Sequence, residues 1–137
     1  RAHPTQPVAQ VAESSWGDQG YHSFWCDEAN AWIYPHLHKA AERMIELARS
    51  RPQAVGVERR ALNQAARELL LAQSSDWAFI MKAGTMVEYA RRRTDSHLRR
   101  FTRLYHDLRQ DTLDETWLRR VETLDNIFPE LDYRVYC

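Results

Sequence analysis

Apolar residues recur every three or four positions along most of the chain, which is the spacing of one face of an α-helix. The first such run follows Asp27 and continues to Pro52, because a proline disfavours the helical conformation of the residue before it. Its apolar positions are Leu37, Ala40, Ala41, Met44, Ile45 and Ala48. We therefore predict a first helix that starts near Asp27, with Asp27 as its candidate cap and Pro35 in the first turn or at a kink.

Two further runs predict a second and a third helix. The second helix places its apolar residues on one face: Ala61, Leu62, Ala65, Ala66, Leu69 and Leu70. Residues 77–81 are apolar nearly all round, which is typical of a short, deeply buried helix. Ser74 or Ser75 is its candidate cap, and Gly84 interrupts it.

Two capping boxes, each a threonine followed three residues later by a glutamate, predict two more helix starts. Thr85 and Glu88 open a long helix, and Thr112 and Glu115 open the last one. The long helix is predicted to bury Tyr89, Ala90, His97, Leu98, Phe101, Leu104, Tyr105 and Leu108. The last helix presents Trp117, Val121 and Leu124 before Pro129.

The pattern as a whole predicts an all-α fold. Only the tail Tyr133–Tyr136 alternates in the manner of a strand. We expect a bundle of four to six helices over residues 27–137, preceded by an irregular segment rich in aromatic residues and glycine over residues 1–26. With 137 residues, 44% of them hydrophobic, the chain is large enough for one core.

Charge and composition favour no polyanionic partner and no membrane. The 19 basic and 19 acidic residues balance, and no apolar run approaches the roughly 20 residues of a membrane span. Cys26 and Cys137 show no disulfide or metal spacing, so we predict free thiols in the cytoplasm. The residues after Arg1 lack the hydrophobic segment of a signal peptide, and a start without methionine indicates a piece of a longer protein.

Arginines cluster on the predicted long helix and raise the question of nucleic-acid binding. The cluster comprises Arg91, Arg92, Arg93, Arg99, Arg100, Arg103 and Arg109. A basic helix of this kind is one mark of a nucleic-acid-binding domain. Asp95 and Asp107 interrupt it, however, and the net charge is zero. We therefore favour a solvated or ion-paired face over a nucleic-acid site.

Residues 16–28 form the most unusual segment, which we call the aromatic loop. It has two tryptophans, Trp16 and Trp25, and glycines beside them. Flat aromatic rings suit the apolar face of a sugar, while nearby polar groups suit its hydroxyls. Candidate polar groups are Asp18, Gln19, His22, Ser23 and Asp27. From spacing alone, the simpler interpretation is that both tryptophans pack the loop onto the bundle.

Catalytic and metal sites are weakly supported in the same region. A glycosidase needs two carboxyl groups roughly 5–10 Å apart, and Asp18 with Asp27 or Glu28 are candidates only by proximity in sequence. Loop carboxylates are more often solvated or act as helix caps. Four potential zinc ligands, Cys26, His22, His36 and His38, have poor spacing. We therefore predict neither a metal site nor a cofactor.

Four ordered motifs change the picture. They are SSWGDQGY at 14–21, WIYPHLHKAAERM at 32–44, LLLAQSSDWAFIMKAGT at 69–85 and LDNIFPELDYRVY at 124–136. Together they resemble the C-terminal helical region of glycoside hydrolase family 57, in particular its 1,4-α-glucan branching enzymes. The resemblance extends from about Ala12 to Tyr136, nearly the whole chain.

The resemblance implies an upstream (β/α)7 barrel with a glutamate nucleophile and an aspartate acid/base, so that neither catalytic residue lies in this chain. Trp16 and Trp25 match aromatic residues that line the glucan cleft of the family. Asp76 lies in the SSDW motif, where it either caps its helix or meets the sugar, and we favour capping. Tyr21 and His22 are weaker candidates for substrate contacts.

The implied function is a glucan-binding, cleft-forming domain of a retaining branching enzyme, which cleaves α-1,4 bonds and forms α-1,6 bonds. Its partners would be an amylose- or glycogen-like glucan and the catalytic barrel of the same enzyme. Two alternatives remain open. The first is an α-amylase or 4-α-glucanotransferase of the same family, and the second is a non-catalytic helical module that binds glucan or another protein.

Overall fold

The structure, a computed structural model, describes residues 10–15 and 20–137. Within them the chain forms five α-helices: α1 (Ile33–Ser50), α2 (Gly56–Ala72), α3 (Ser75–Ala83), α4 (Val87–Gln110) and α5 (Glu115–Leu124). Short 3-10 turns cover His22–Phe24 and Tyr133–Tyr136. The predicted all-α fold is confirmed, but the strand considered for the tail is wrong. The Asp132 side chain accepts a hydrogen bond from the Arg134 amide and so stabilises a turn there.

The larger hydrophobic cluster lies between α2 and α4, which have the most extensive helix–helix contact, with α1 beside them. The face of α2 is mainly alanine, with Ala61 and Ala65 fully buried. Small side chains let the α4 backbone approach closely, so Phe101 and Leu104 are also fully buried. Most of the apolar stripes predicted on α1, α2 and α4 therefore form this core, but Leu37 lies outside it, and Ile45 and Leu70 are only half-buried.

A smaller hydrophobic cluster lies where the start of α1, the end of α2, α3 and the start of α4 meet. Its buried members are Ile33, Leu37, Ala72, Ala78, Met81 and Ala90. Half-buried aromatic residues, among them Trp25 and Trp77, pack against it. The part of the aromatic loop that the structure describes is thus attached to this end of the bundle.

Helix starts were predicted to within two residues for α4 and α5, but their capping groups were not. The N-cap residues are Met86 and Asp114, and the Asp114 carboxylate accepts the Trp117 amide at 3.0 Å. The first helix begins at Ile33, six residues later than predicted. Asp27 caps the preceding turn instead, with its carboxylate 3.0 Å from the Ala29 amide nitrogen.

The burial predicted for α3 is wrong in an informative way. Only Ala78 and Met81 are buried, and the other apolar residues, Trp77, Phe79 and Ile80, are half-buried. This nine-residue helix contacts α4 and the 3-10 turn at His22–Phe24, but it is too short to be enclosed all round. These three side chains therefore keep part of their apolar surface accessible.

Two smaller errors concern which residues of α4 and α5 face the core. On α4, Tyr89 is exposed, Leu98 and Tyr105 are half-buried, and Thr94 is buried. On α5, the core-facing residues are Leu118 and Val121, while Trp117 is half-buried and Leu124 is exposed. In both helices the buried face is narrower than the apolar pattern predicted, and on α4 it includes Thr94.

The C-terminal turn is tied to the link between α1 and α2 by one side chain. Tyr133 is 1% exposed, its hydroxyl donates to the Arg51 carbonyl, and the same oxygen lies 3.3 Å from the Ala54 amide nitrogen. The Tyr133 amide in turn donates to Asn63 Oδ1 at 3.0 Å. This one residue therefore connects both ends of the α1–α2 link to the end of the chain.

We expect Tyr133→Phe to lower the free energy of unfolding by about 1–2 kcal/mol, because it leaves a carbonyl and an amide without their buried partner. Urea unfolding of the chain measures this effect. Tyr21→Phe is the matched control, since Tyr21 is 66% exposed and its hydroxyl can bond to water. Equal unfolding midpoints for the wild type and both variants would contradict the assigned role of the Tyr133 hydroxyl.

No helix in the described part of the chain combines the length and the apolar character that crossing a membrane requires.

Candidate functional site

The described part of the aromatic loop is fixed to α3 by a fully buried asparagine. Asn30 donates from its side-chain amide to the Phe24 carbonyl at 2.8 Å and to the Ala78 carbonyl at 3.2 Å. Its side-chain oxygen accepts the Asp27 amide at 2.9 Å. Both amide hydrogens and the oxygen are therefore used, as expected for a buried polar group.

Two further contacts hold the loop. Lys82 of α3 lies 2.6 Å from Asp27 Oδ2, and this hydrogen bond is the main reason why the pKa of Asp27 lies below its usual value. The Tyr34 hydroxyl of α1 donates to the Trp25 carbonyl. Burial raises the pKa of Tyr34, so its hydroxyl remains a donor at neutral pH.

These contacts create a pocket between the loop and α3. Its volume is about 330 Å³, and it is lined by Trp25, Ser75, Asp76 and Phe79. Phe79 stacks on Phe24 with ring centroids 5.0 Å apart, and it lies 6.1 Å from the Trp25 ring at a tilt of 43°. The pocket thus combines an aromatic wall with a carboxylate and a hydroxyl, which is the composition that a sugar requires.

The structure brings together some of the predicted site residues and not others. Trp25 and Asp76 share the pocket, although they are 51 positions apart in the sequence. Tyr21 is exposed outside it, and His22 is also exposed, 3.2 Å from Glu13. Trp16 lies outside the described residues.

Two lining residues were missed, namely Phe79 and Ser75. Phe79 follows Asp76 by three positions, and this spacing places both on one helix face. The signal was present in the sequence, but residues 77–81 were assigned to a buried helix as a block. Ser75 is adjacent to Asp76, and the position of the pocket identifies it as a lining residue.

Asp76 is not the N-cap of α3, a position that Ser74 occupies. It lies in the first helical turn, and the Ser74 hydroxyl is 3.4 Å from its Oδ2. A negative charge there interacts favourably with the helix dipole without capping an amide. The exposed carboxylate is therefore able to accept hydrogen bonds from a ligand in the pocket.

A second polar group lies inside the bundle, and of its members only the burial of His97 was predicted. Glu68 and His97 are fully buried, and Asp125 is 5% exposed. His97 Nδ1 is 2.7 Å from Glu68 Oε2 and 3.9 Å from Asp125 Oδ2. Burial raises the pKa of Glu68 against the opposing effect of its hydrogen bond to His97.

In the described part of the chain, these three residues are the set with the geometry to surround a metal ion, with ligand atoms within 4.8 Å of one another. Their oxygens are already engaged by other side chains. Arg100 Nη1 lies 2.6 Å from Asp125 Oδ2, and Gln64 Nε2 lies 2.9 Å from Glu68 Oε1. A guanidinium at that distance supplies the positive charge that a metal would bring, so the group is an internal ion-pair network.

The basic face of α4 is ion-paired, as the interrupting acidic residues predicted. Its pairs are Arg99 with Asp95, Arg100 with Asp125, Arg103 with Asp107 and Asp114, and Arg109 with Glu46. Arg103 also lies 3.9 Å from the centre of the Trp117 ring, a cation–π contact. Much of the positive charge is thus balanced within the domain.

A larger groove lies between α1 and α4. One part has a volume of about 450 Å³ and is lined by Trp32, Arg91, Arg92 and Asp95. Its lining is mainly charged and offers one aromatic ring, whereas the pocket at Trp25 offers two on adjacent walls. The smaller pocket is therefore the better match to a sugar.

In sequence and fold the chain belongs to the C-terminal helical domains of glycoside hydrolase family 57 enzymes. The fold matches a branching enzyme of that family from Thermococcus kodakaraensis, TK1436, solved with glucose, at a TM-score of 0.89 and 34% identity over 93% of this chain and 24% of that one. A second match is the GH57-type branching enzyme of Pyrococcus horikoshii, with a TM-score of 0.87 and 35% identity over 98% of this chain and 26% of that one.

More narrowly, the chain belongs to the family described as 1,4-alpha-glucan branching enzyme, C-terminal, whose profile matches residues 36–136. The Thermococcus enzyme is 35% identical over 123 residues, which are 87% of this chain and 18% of that enzyme. The fold also matches the α-amylase AmyC of Thermotoga maritima, with 45% identity and a TM-score of 0.79, over 97% of this chain and 24% of that one. The chain therefore spans about a quarter or less of the length of these relatives.

Proposed function

We propose that this chain forms one wall of the glucan cleft in a retaining 1,4-α-glucan branching enzyme. Residues 1–26 would connect it to the barrel that carries the catalytic carboxylates, and residues 27–137 would pack against that barrel. The observation that supports a glucan site is the pocket in which Trp25 and Phe79 form an aromatic wall beside Asp76. The substrate is an amylose- or glycogen-like glucan, and the enzyme would act in the cytoplasm, in glycogen biosynthesis.

In this proposal the chemistry and the positioning belong to different parts of the enzyme. The barrel cleaves an α-1,4 bond and holds the glycosyl group on its glutamate. A 6-hydroxyl of a second glucan chain, rather than water, then attacks that group and forms the α-1,6 bond. This step requires an acceptor that is held in place and a site from which water is excluded.

The described residues are suited to holding the acceptor in place. The rings of Trp25 and Phe79 offer a flat apolar surface for one face of a glucose unit. Asp76 and Ser75 line the same pocket and would form hydrogen bonds with the hydroxyl groups at the rim of that unit. Because the wall supplies position and not protons, it needs no carboxyl pair of its own.

The products formed from linear amylose by the full-length enzyme test the proposal. A branching enzyme produces new α-1,6 bonds, which a debranching enzyme then releases as short linear chains. Chain-length analysis before and after debranching is the direct measurement. Absence of any new α-1,6 bond would overturn the branching activity.

The alternative with specific support is an α-amylase of the same family, because the identity to the Thermotoga enzyme, 45%, exceeds that to the branching enzymes. In the same experiment an amylase shortens the linear chains and releases reducing ends without forming branches. A 4-α-glucanotransferase would redistribute linear chain lengths. Glucan binding without turnover would indicate a non-catalytic module.

A further inference from the structure

We propose that Asn30 is a positioning residue that sets the relative position of the two rings, Trp25 and Phe79, that form the aromatic wall of the pocket, and thereby the choice between sugar and water as the acceptor. This inference rests on the proposed glucan site. It assigns no chemistry to Asn30, which is fully buried and contacts no ligand directly.

The Asn30 side chain is hydrogen-bonded to the backbone next to each of the two rings. Its two amide hydrogens bond to the carbonyls of Phe24 and Ala78, 2.8 Å and 3.2 Å away. Phe24 immediately precedes Trp25 in the chain, and Ala78 immediately precedes Phe79. A single planar amide therefore joins the backbone beside one aromatic ring to the backbone beside the other.

The other contacts of the loop restrain it less directly. The bond from Tyr34 fixes Trp25 relative to α1, not to α3. The ion pair of Asp27 with Lys82 does reach α3, but its side chains are 27% and 35% exposed. Long, partly solvated side chains hold a distance loosely, whereas a buried amide with all its partners satisfied holds it tightly.

The relative position of the rings matters because together they form the surface on which a glucose unit lies. A glucose unit that lies flat on a continuous wall displaces water from it, whereas rings that have moved apart admit water and hold the sugar less firmly. A displacement of about 1 Å far from the reacting atoms is enough to change a rate by about 100-fold. Loss of the Asn30 bonds should therefore favour hydrolysis over transfer.

Asn30→Asp in the full-length enzyme is the first test. The aspartate keeps the shape and the acceptor oxygen, but it places a carboxylate oxygen against the Phe24 and Ala78 carbonyls. We expect the ratio of α-1,6 bonds formed to reducing ends released to fall about tenfold, together with a higher KM for the glucan. The ratio comes from one reaction mixture, so it does not depend on the amount of folded enzyme.

Asn30→Gln is the second variant, in case the aspartate prevents folding. It keeps both donors and the acceptor but is longer by one methylene, so it changes the spacing without removing hydrogen-bonding groups. The matched control is Asn63→Ala, which removes the acceptor of the Tyr133 amide on another side of the bundle. The control should lower the melting temperature and leave the product ratio unchanged.

The outcomes separate the inference from the function on which it rests. An unchanged ratio in both Asn30 variants overturns the positioning role, as does an equal fall in Asn63→Ala. If Trp25→Ala also leaves the ratio and the rate unchanged, the glucan site itself is wrong. If Trp25→Ala impairs branching and the Asn30 variants do not, only the role of Asn30 fails.

Discussion

Replacing Glu68 with alanine is expected to lower the free energy of unfolding by about 3–5 kcal/mol, because removal of one partner leaves the rest of a buried ion-pair network uncompensated. Glu68 lies 2.7 Å from His97 and 2.9 Å from Gln64, and all three side chains are fully buried. The variant therefore removes the acceptor of two buried groups and also leaves a cavity.

Thermal unfolding of the chain measures this loss. For a domain of this size, a change of 3–5 kcal/mol corresponds to a fall in Tm of roughly 10–20 °C. Asp95→Ala is the control, since its pair with Arg99 is exposed and should contribute less than about 1 kcal/mol. The double variant Glu68→Met with His97→Leu should be less damaging than Glu68→Ala, because it removes both partners of the buried contact together. Equal losses for Glu68→Ala and Asp95→Ala would refute a stabilising network.

Trp25→Ala in the full-length enzyme is expected to lower the branching rate by about 10- to 100-fold, because it removes half of the aromatic wall that positions the acceptor. The same variant should lower the melting temperature only slightly, since Trp25 is only half-buried. Formation of α-1,6 bonds and the melting temperature are measured on the same preparation. The family resemblance predicts a similar result for Trp16→Ala.

Trp77→Ala provides a matched control for Trp25→Ala. Trp77 is also a half-buried tryptophan of the smaller cluster, but its indole donates to the Leu71 carbonyl at 2.7 Å and it does not line the pocket. We expect Trp77→Ala to reduce stability and to leave branching almost unchanged. Equal effects of the two variants on branching would show that both act through folding rather than through the cleft.

Periodicity was sufficient to predict α1, α2, α4 and α5, because each has a stripe that faces the larger hydrophobic cluster. It failed for α3, whose apolar residues are too closely spaced to reveal which face is covered. Local capping signals failed for a different reason. Thr112 and Glu115 matched a capping box, but the helix begins after Asp114. The Asp114 carboxylate, and not Thr112, accepts the hydrogen bond of the Trp117 amide.

The site was only partly predictable, since its two halves meet in space and not in sequence. The family resemblance supplied Trp25 and Asp76, but no local pattern shows that Asn30 reaches Ala78, 48 positions away. The same limit applies to the network of Glu68 with His97, which are 29 positions apart. In the sequence, Glu68 stands out as a single glutamate within the apolar stripe of α2. That position does not indicate that His97 is its partner.

The division of the core into two clusters has a consequence for the stiffness of the protein. The smaller cluster, which supports α3 and the pocket, has few buried side chains, so it can open locally while the larger cluster remains closed. In the proposed function, a bound glucan favours the closed state of this end of the domain. We expect tighter binding and slower product release to accompany each other in any variant that makes α3 more rigid.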